Sequence, residues 1–210
     1  MTILTRSYSN KKIVYHQIPK NGCTSVANMF NQADGTEMPQ EELTATGRDR
    51  EYSYAETHRL SGMQGDIKYQ HHDCDISMAI KRDPVARFVS AYTNRIHFHN
   101  DLGRDLPGKP IITPTINEFI EQFDEHIHKY WIRIHFLPQS FYGGKVRNHT
   151  HVYDISEMYQ VAELLSSLSG RPVQEIRLQQ GGNDIKIELD NHAMTWIKKY
   201  YGEDYENGWF

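Results

Sequence analysis

Two short segments of the chain combine residue types that bind phosphate groups. The first spans residues 18–26 (IPKNGCTSV), where an apolar, β-branched run ends in a turn and a helical pattern begins. The N-terminus of a helix presents unpaired backbone N–H groups and the positive end of the helix dipole, which together attract anions. Glycine lets the backbone approach such a ligand closely, a lysine adds positive charge, and hydroxyls add donors. The segment therefore predicts an anion site formed by Lys20, Asn21, Gly22, Cys23, Thr24 and Ser25.

The second segment spans residues 81–92 (KRDPVARFVSAY) and repeats the order of strand end, turn and helix start. Arg82 closes a buried apolar run, and its planar guanidinium suits two-point binding of a phosphate. Asp83 and Pro84 are typical of a helix N-cap and first turn. Ser90 then lies about two turns into the helix and off its apolar stripe. Arg82 and Ser90 are therefore candidate phosphate ligands, although each segment alone also fits an ordinary strand–turn–helix with exposed polar residues.

The elements around these segments alternate between strand and helix patterns. We predict strands at 13–18, 76–81 and 146–153, and helices at 23–31 and 191–201. A further helix begins at Asp83 and carries the apolar stripe Val85, Phe88, Val89, Tyr92 and Ile96. Thr115 is predicted to cap another helix, and Ser156 to cap a helix that runs to 168 and ends near Gly170. Residues 34–75 read mostly as loops. This alternation predicts an α/β fold with a parallel sheet, and 210 residues predict one domain over 1–210.

Composition excludes several classes of protein. The net charge of -4 argues against a general nucleic-acid binder, which needs an excess of Lys and Arg. Two cysteines cannot form a disulfide framework and favour a reducing compartment. The polar N-terminus resembles neither a signal peptide nor an anchor, and no apolar run is long enough to span a bilayer. We therefore expect a soluble, cytoplasmic protein.

Taken together, the two segments resemble the sulfotransferases that use 3′-phosphoadenosine 5′-phosphosulfate (PAPS). The resemblance is to the carbohydrate sulfotransferase family that includes the chondroitin and dermatan enzymes. Residues 19–25 (PKNGCTS) match its P-K-x-x-C-T-[ST] loop, and residues 82–92 (RDPVARFVSAY) match its R-[DE]-P-x-x-R-x-x-S-A-Y segment. Further similarity lies at 115–123 (TINEFIEQF), 135–139 (HFLPQ), 152–154 (VYD) and 200–210 (YYGEDYENGWF).

The resemblance implies a P-loop-like, three-layer α/β fold with a central parallel sheet flanked by helices. It implies transfer of a sulfuryl group from PAPS to a hydroxyl acceptor, expected to be a carbohydrate. The first loop would bind the 5′-phosphosulfate, with Lys20 at the sulfuryl oxygens, and Arg82 and Ser90 would bind the 3′-phosphate. No metal is expected, because lysine and backbone amides would hold the developing charge.

A general base must accept the proton of the acceptor hydroxyl, and histidine suits this role near neutral pH. In related sulfotransferases the base often lies between the two motifs. His58, His71 and His72 are the candidates here, and we prefer His58 for its distance ahead of Arg82. For each of them, an ordinary surface or packing role is an alternative.

The chain departs from the Golgi members of that family, which carry a membrane anchor and disulfides. This indicates a soluble, bacterial-type member in the cytoplasm, with no transmembrane segment, and leaves peripheral contact with a membrane open. It also leaves the acceptor open, since a glycosaminoglycan chain need not be the substrate.

Four other interpretations stay open on the residues alone. His149 and His151 would share a strand face, and residues 71–75 (HHDCD) offer metal ligands, although no known zinc framework is present. Cys23 at a helix N-terminus could be a nucleophile. A P-loop kinase is disfavoured because the G-x-x-x-x-G-K-[ST] spacing is missing. A non-catalytic module that binds adenosine bisphosphate would keep Arg82 and Ser90.

Overall fold

A computed structural model describes residues 3–36, 69–103, 113–178 and 186–210. The chain divides into two compact units, each built from two stretches of sequence. Residues 1–81 and 140–179 form one, called here the sheet unit, and residues 82–139 and 180–210 form the other, called the helical unit. The single domain that the sequence suggests stays a prediction.

The secondary structure is α/β, as predicted. The strands are β1 Ile3–Tyr8, β2 Lys11–His16, β3 Ile76–Lys81 and β4 His151–Asp154. The α-helices are α1 Cys23–Asp34, α2 Pro84–Ala91, α3 Ile116–Glu121, α4 Phe123–Ile127, α5 Tyr130–Phe136, α6 Gln139–Gly143, α7 Met158–Ser169, α8 Asn191–Tyr200 and α9 Gly202–Glu206.

The four strands form one mixed sheet in the order β1-β2-β3-β4. The pairs β2–β3 and β3–β4 are parallel, as predicted, with His16 opposite Ala79 and Lys81 opposite Asp154. β1 is an additional strand that the sequence analysis missed, and it pairs antiparallel with β2. Ser9 and Asn10 connect these two strands with positive φ values of 48° and 66°, as in the tight turns that match the twist of a hairpin.

One face of the sheet packs against α1 and α7 in the sheet unit. Alternate side chains of β2 and β3 point to this face, as the two-residue period of a strand requires. Its buried core includes Ile13, Tyr15, Met78, Ile80, Phe30 and Leu165. Both helices end at a glycine in the left-handed region, Gly35 at φ 76° and Gly170 at φ 70°, which satisfies their last carbonyls. The packing fixes the direction in which α1 leaves the carboxyl end of β2.

The core of the helical unit is aromatic. Phe88 of α2 lies 5.1 Å from Phe136 and 6.0 Å from Trp196, measured between ring centroids. Phe119 and Phe123 complete this cluster. Edge-on and tilted pairs at these distances are favourable arrangements for aromatic rings. α2 is therefore held rigidly in its unit through one side of the helix.

Several helix boundaries agree with local signals in the sequence. Thr115 caps α3 through a capping box with Glu118, as predicted. The predicted helix from Asp83 begins as expected but continues past Ala91 as a π-helical turn, Tyr92–Phe98. Ser156 does not cap α7. Its hydroxyl instead donates to Asp154 Oδ1 at 2.7 Å, and Met158 begins the helix.

Candidate active site

A tight loop follows the carboxyl end of β2 and leads into α1. Asn21 N donates to Ile18 O at 3.1 Å, which closes the turn. The buried side chain of Asn21 donates from Nδ2 to Ile80 O at 2.7 Å, near the carboxyl end of β3. Asn21 therefore fastens the loop to the neighbouring parallel strand. Ligands of open α/β sheets bind at this carboxyl edge.

Two residues of the loop adopt left-handed backbone conformations. Lys20 has φ 71° and Gly22 has φ 75°. This region costs a non-glycine residue about 1–2 kcal/mol, so Lys20 is held in a strained conformation. At Gly22 a Cβ would also lie 3.3 Å from Met158 Cε. The left-handed backbone at position 22 therefore favours glycine, and any larger residue would also require Met158 to shift.

The N-terminus of α1 has no side-chain cap and no acidic residue in its first turn. Thr24 in this turn is half-buried, whereas Ser25 is buried and its Oγ accepts a hydrogen bond from Leu178 N at 2.9 Å. Ser25 thus ties the residues after α7 to α1, a structural contact that the sequence did not reveal. A helix start of this kind keeps the positive end of its dipole for an anion.

Cys23 is an unsuitable nucleophile. Its side chain is buried, and Sγ donates to Ile18 O at 2.8 Å. Burial raises the pKa of the thiol to about 11, and only the thiolate is reactive. Cys23 is therefore a small residue that supports the turn.

The second predicted segment belongs to the helical unit. Asp83 caps α2, with Oδ1 accepting from Ala86 N at 2.7 Å, and Pro84 occupies the first turn, both as predicted. Arg82 and Ser90 are half-buried. The backbone of Arg82 pairs with the side chain of Gln139, whose Oε1 accepts from Arg82 N at 3.0 Å and whose Nε2 donates to Arg82 O at 2.9 Å.

The other arginine of this segment, Arg87, has a structural role. Arg87 is fully buried in the helical unit. Its Nη2 donates to His135 O at 3.4 Å, and its guanidinium carbon lies 5.6 Å from the centre of the Tyr201 ring. Cation–π contact and hydrogen bonding stabilise a buried arginine. Arg87 therefore links α2 to α5 and α8, and Arg82 is the arginine with partial exposure.

The candidate bases fall in different places. His58 lies outside the described residues. His71 is exposed and His72 is half-buried, and both precede Ile76, the first residue of β3. This stretch is tied to the start of β2, because Lys12 N donates to Asp75 Oδ2 at 2.7 Å. His71 and His72 therefore precede the amino end of β3, whereas the loop with Lys20 follows the carboxyl end of β2.

Two buried polar residues just before the loop escaped the sequence analysis. His16 and Gln17 are each 1% exposed. Within the described ranges, His16 Nδ1 and both polar atoms of the Gln17 carboxamide lack hydrogen-bond partners. The ring of His16 lies 4.8 Å from that of His149 and 5.2 Å from that of Tyr69. The available signal was a pair of polar residues at the end of an otherwise apolar strand, IVYHQI.

The environment of His16 keeps it neutral. Burial, followed by the nearby His149, His72 and His71, lowers the pKa of His16 to about 3. Burial also lowers the pKa of His149. His149 uses both ring nitrogens in hydrogen bonds, with Ser77 Oγ at 2.9 Å and Gly143 O at 2.7 Å.

The metal alternative gains no support from this geometry. His149 is committed to hydrogen bonds on both sides, and His151 Nδ1 lies 2.9 Å from Thr150 Oγ1. In the described part of the chain, no group of three or more His, Cys, Asp and Glu side chains could hold a metal ion. Among the helices of the described residues, none is both apolar and long enough to span a membrane.

Comparisons with known proteins agree with the geometry of the loop. No curated protein and no solved structure matches the chain significantly. The family model described as the sulfotransferase family matches residues 6–207, which is nearly the whole chain. The match includes the loop after β2, the segment around Arg82 and the C-terminal helices. The chain therefore belongs to the sulfotransferase family, whose members transfer sulfuryl groups.

Proposed function

We propose that the protein transfers a sulfuryl group from PAPS to a hydroxyl of a carbohydrate. The observation that carries this proposal is the loop after β2, with its left-handed Lys20 and Gly22 and the uncapped start of α1. Membership of the sulfotransferase family supplies the reaction class. The choice of donor rests on the resemblance of both segments to PAPS-dependent enzymes, and the choice of acceptor on their resemblance to carbohydrate enzymes.

The loop residues fit the 5′ end of such a donor. Gly22 carries no side chain, so the backbone before α1 can approach a bound ligand closely. Lys20 adds one positive charge, and Thr24 adds a hydroxyl donor. We propose that these groups and the amide of Cys23 hold the 5′-phosphosulfate. Asn21 contributes by holding the loop in place through its hydrogen bond to Ile80 O. Ser25 contributes by holding the start of α1 through the hydrogen bond that it accepts from Leu178 N.

The helical unit would bind the 3′-phosphate. A guanidinium with two parallel N–H donors matches a phosphate, and a serine hydroxyl can add a third bond. Arg82 immediately precedes the N-cap of α2, and Ser90 lies on this helix away from its buried residues Arg87, Phe88 and Ala91. The 3′-phosphate distinguishes PAPS from ATP and AMP, so these two residues would determine nucleotide selectivity.

Transfer requires stabilisation of charge and removal of a proton. PAPS supplies, when bound, a sulfuryl group joined to a good leaving phosphate. The acceptor oxygen forms a bond to sulfur while the bond between sulfur and the bridging oxygen breaks, and its electron pair leaves with adenosine 3′,5′-bisphosphate (PAP). Lys20 would stabilise the negative charge that grows on the bridging oxygen. A histidine base would take the hydroxyl proton.

His58 remains the proposed base. Its alternatives, His71 and His72, precede the amino end of β3, while Lys20 follows the carboxyl end of β2. Replacement of the base should lower kcat strongly and leave PAPS affinity nearly unchanged. Comparison of His58→Ala with His71→Ala and His72→Ala therefore identifies the base, and loss of turnover in one of the latter two instead of His58→Ala would reassign it.

The test of the function is an acceptor screen with PAPS that carries labelled sulfur. We expect label to appear on a saccharide hydroxyl, and calorimetry to show that PAP binds more tightly than ATP or AMP. Failure of transfer to every acceptor, with PAP still preferred, would indicate a nucleotide-binding module. A preference for ATP over PAP would contradict the choice of donor.

A further inference from the structure

A single side chain pairs with both backbone groups of Arg82. Gln139 accepts from Arg82 N at 3.0 Å and donates to Arg82 O at 2.9 Å. Both distances are those of well-formed hydrogen bonds. A carboxamide is one of the few side-chain groups that can accept and donate at once. It therefore gives Arg82 the two-bond pairing that a neighbouring strand gives within a sheet.

The position of Arg82 in the chain explains the need for this pairing. The parallel ladder between β3 and β4 ends at Lys81 and Asp154. The next element begins at Asp83, which is the N-cap of α2. Arg82 lies between the two, at the junction of strand and helix. The two hydrogen bonds from Gln139 restrain the backbone at this junction.

Gln139 is itself fixed within the helical unit. Its side chain is fully buried, and its backbone N donates to Asp204 Oδ2 at 3.0 Å. Asp204 of α9 is also fully buried, and its carbonyl accepts from Trp209 N at 2.9 Å. A buried glutamine has already lost its rotamer freedom on folding. The restraint on Arg82 is therefore rigid and is anchored near the C-terminus.

We propose that Gln139 is a positioning residue that orients Arg82 toward the 3′-phosphate, with Asp204 as its anchor. This inference rests on the proposed function, in which Arg82 binds that phosphate. A fixed backbone limits the directions in which the guanidinium can point, so less freedom is lost when the phosphate binds. Gln139 thereby contributes to nucleotide selectivity through Arg82, and it need not touch the nucleotide.

Two substitutions separate this role from general stability. Gln139→Glu keeps the size and one acceptor but places a second oxygen against the Arg82 carbonyl. Gln139→Met keeps the length and removes both hydrogen bonds. The chain offers a matched control in Gln32, whose Oε1 accepts from Gln174 N at 2.9 Å and whose Nε2 lies 3.4 Å from Gln174 O. Gln32→Glu disrupts the same pattern at a residue with no proposed ligand.

The readout is the ratio of the AMP and PAP dissociation constants, measured by calorimetry. Arg82→Ala should lower this ratio about tenfold or more, because hydrogen bonds to a charged group are strong. Both Gln139 variants should lower it about fivefold, with AMP affinity within about twofold of the wild type. Gln32→Glu should lower the melting temperature and leave the ratio unchanged. Where a variant is too unstable for calorimetry, the two ligands are compared by the increase in melting temperature that each causes. The difference between the increases for PAP and AMP reports the same ratio.

A double variant completes the test. In the Arg82→Ala background, Gln139→Met should not lower the ratio further, because Gln139 acts through Arg82. If Arg82→Ala lowers the ratio while the Gln139 variants keep it, Gln139 is merely structural and the inference is overturned. If Arg82→Ala leaves the ratio unchanged, the assignment of the 3′-phosphate site fails and the role of Gln139 fails with it.

Discussion

The two segments that we propose to bind phosphate are built in different ways. The loop after β2 keeps its shape through left-handed backbone at Lys20 and Gly22. Just before it, His16 and Gln17 carry buried polar atoms that lack partners among the described residues. The segment at Arg82, in contrast, is held by side-chain bonds from Gln139. The first segment is shaped by left-handed backbone, whereas the backbone of Arg82 in the second is fixed by hydrogen bonds from a side chain.

This difference fits two different roles for the two segments in the proposed reaction. A strained loop that exposes backbone amides at a helix start suits the 5′ end of PAPS, where bonds form and break. Electrostatic stabilisation at that end requires hydrogen-bond donors that are already in position. A paired backbone that directs one arginine suits recognition of a phosphate that takes no part in the reaction. Local rules of stability are often broken at functional sites, and the loop is one of the places where the described residues break them.

The largest effect is expected at Lys20. Lys20→Ala should lower the single-turnover rate about a hundredfold or more, because the charge that grows on the bridging oxygen loses its partner. Lys20→Arg should restore activity only in part, since a planar fork does not replace a compact ammonium. The exposed Lys11, at the start of β2, provides the control in Lys11→Ala. A normal rate at saturating PAPS would make Lys20 an affinity residue.

Three glycine substitutions distinguish the cost of left-handed backbone from the cost of steric crowding by a new Cβ. Gly22→Ala should lower the free energy of unfolding by about 2 kcal/mol, because it combines left-handed backbone with the approach to Met158. Gly170→Ala has a similar φ but no atom within 4 Å, so it should show the backbone cost alone. Gly202→Ala has neither feature and should be nearly neutral. Equal losses for all three in chemical denaturation would contradict the account.

Acid should destabilise the sheet unit through His16. Its pKa in the folded protein is lowered to about 3 by burial, from an ordinary value of 6.5. The unfolded chain therefore binds a proton that the folded chain does not, and stability is lost as the pH falls below 6.5. We expect a loss of about 1 kcal/mol between about pH 6.5 and about pH 5.5.

His16→Phe keeps a ring against Tyr69, His72 and His149 but cannot titrate. Urea unfolding as a function of pH should show a shallower acid slope for this variant. Replacement of the exposed His192 serves as the control. An unchanged slope in His16→Phe would show that folding does not lower the pKa of His16.

An effect of similar size but opposite sign is expected at Gln17. Gln17→Leu removes a buried carboxamide that lacks partners among the described residues, so it should raise the free energy of unfolding by about 1 kcal/mol. We expect the same variant to transfer sulfuryl groups more slowly, since unpaired polar groups beside a loop of this kind are retained for function. The control is Gln122→Leu at an exposed position. A less stable variant with normal activity would remove this interpretation of Gln17.

Local signals allowed much of the fold to be predicted from sequence. The limits of β3, the start of α1 at Cys23, the capping box at Thr115 and the end of α7 at Gly170 were confirmed. Each depends on residues within a few positions of one another, where capping and glycine preferences act. β1 was missed because a short edge strand depends on pairing with β2 rather than on its own pattern.

The candidate site was predictable only in part. The motifs named Lys20 and Arg82 directly. The pairing of Arg82 with Gln139 joins residues 57 positions apart, and no local pattern encodes it. Burial of His16 and Gln17 without partners is likewise a property of packing around the sheet. The π-helical turn after α2 follows a regular helical stripe, so periodicity gave no sign of it.

One comparison tests the two proposed roles most directly. Wild type, Lys20→Ala and Arg82→Ala are assayed for the single-turnover rate at saturating PAPS and for the ratio of AMP to PAP dissociation constants. We expect Lys20→Ala to lower the rate about a hundredfold and nearly to keep the ratio. We expect Arg82→Ala to lower the ratio about tenfold and nearly to keep the saturated rate. If both variants changed the same quantity, the two segments would share one role and the account would be contradicted.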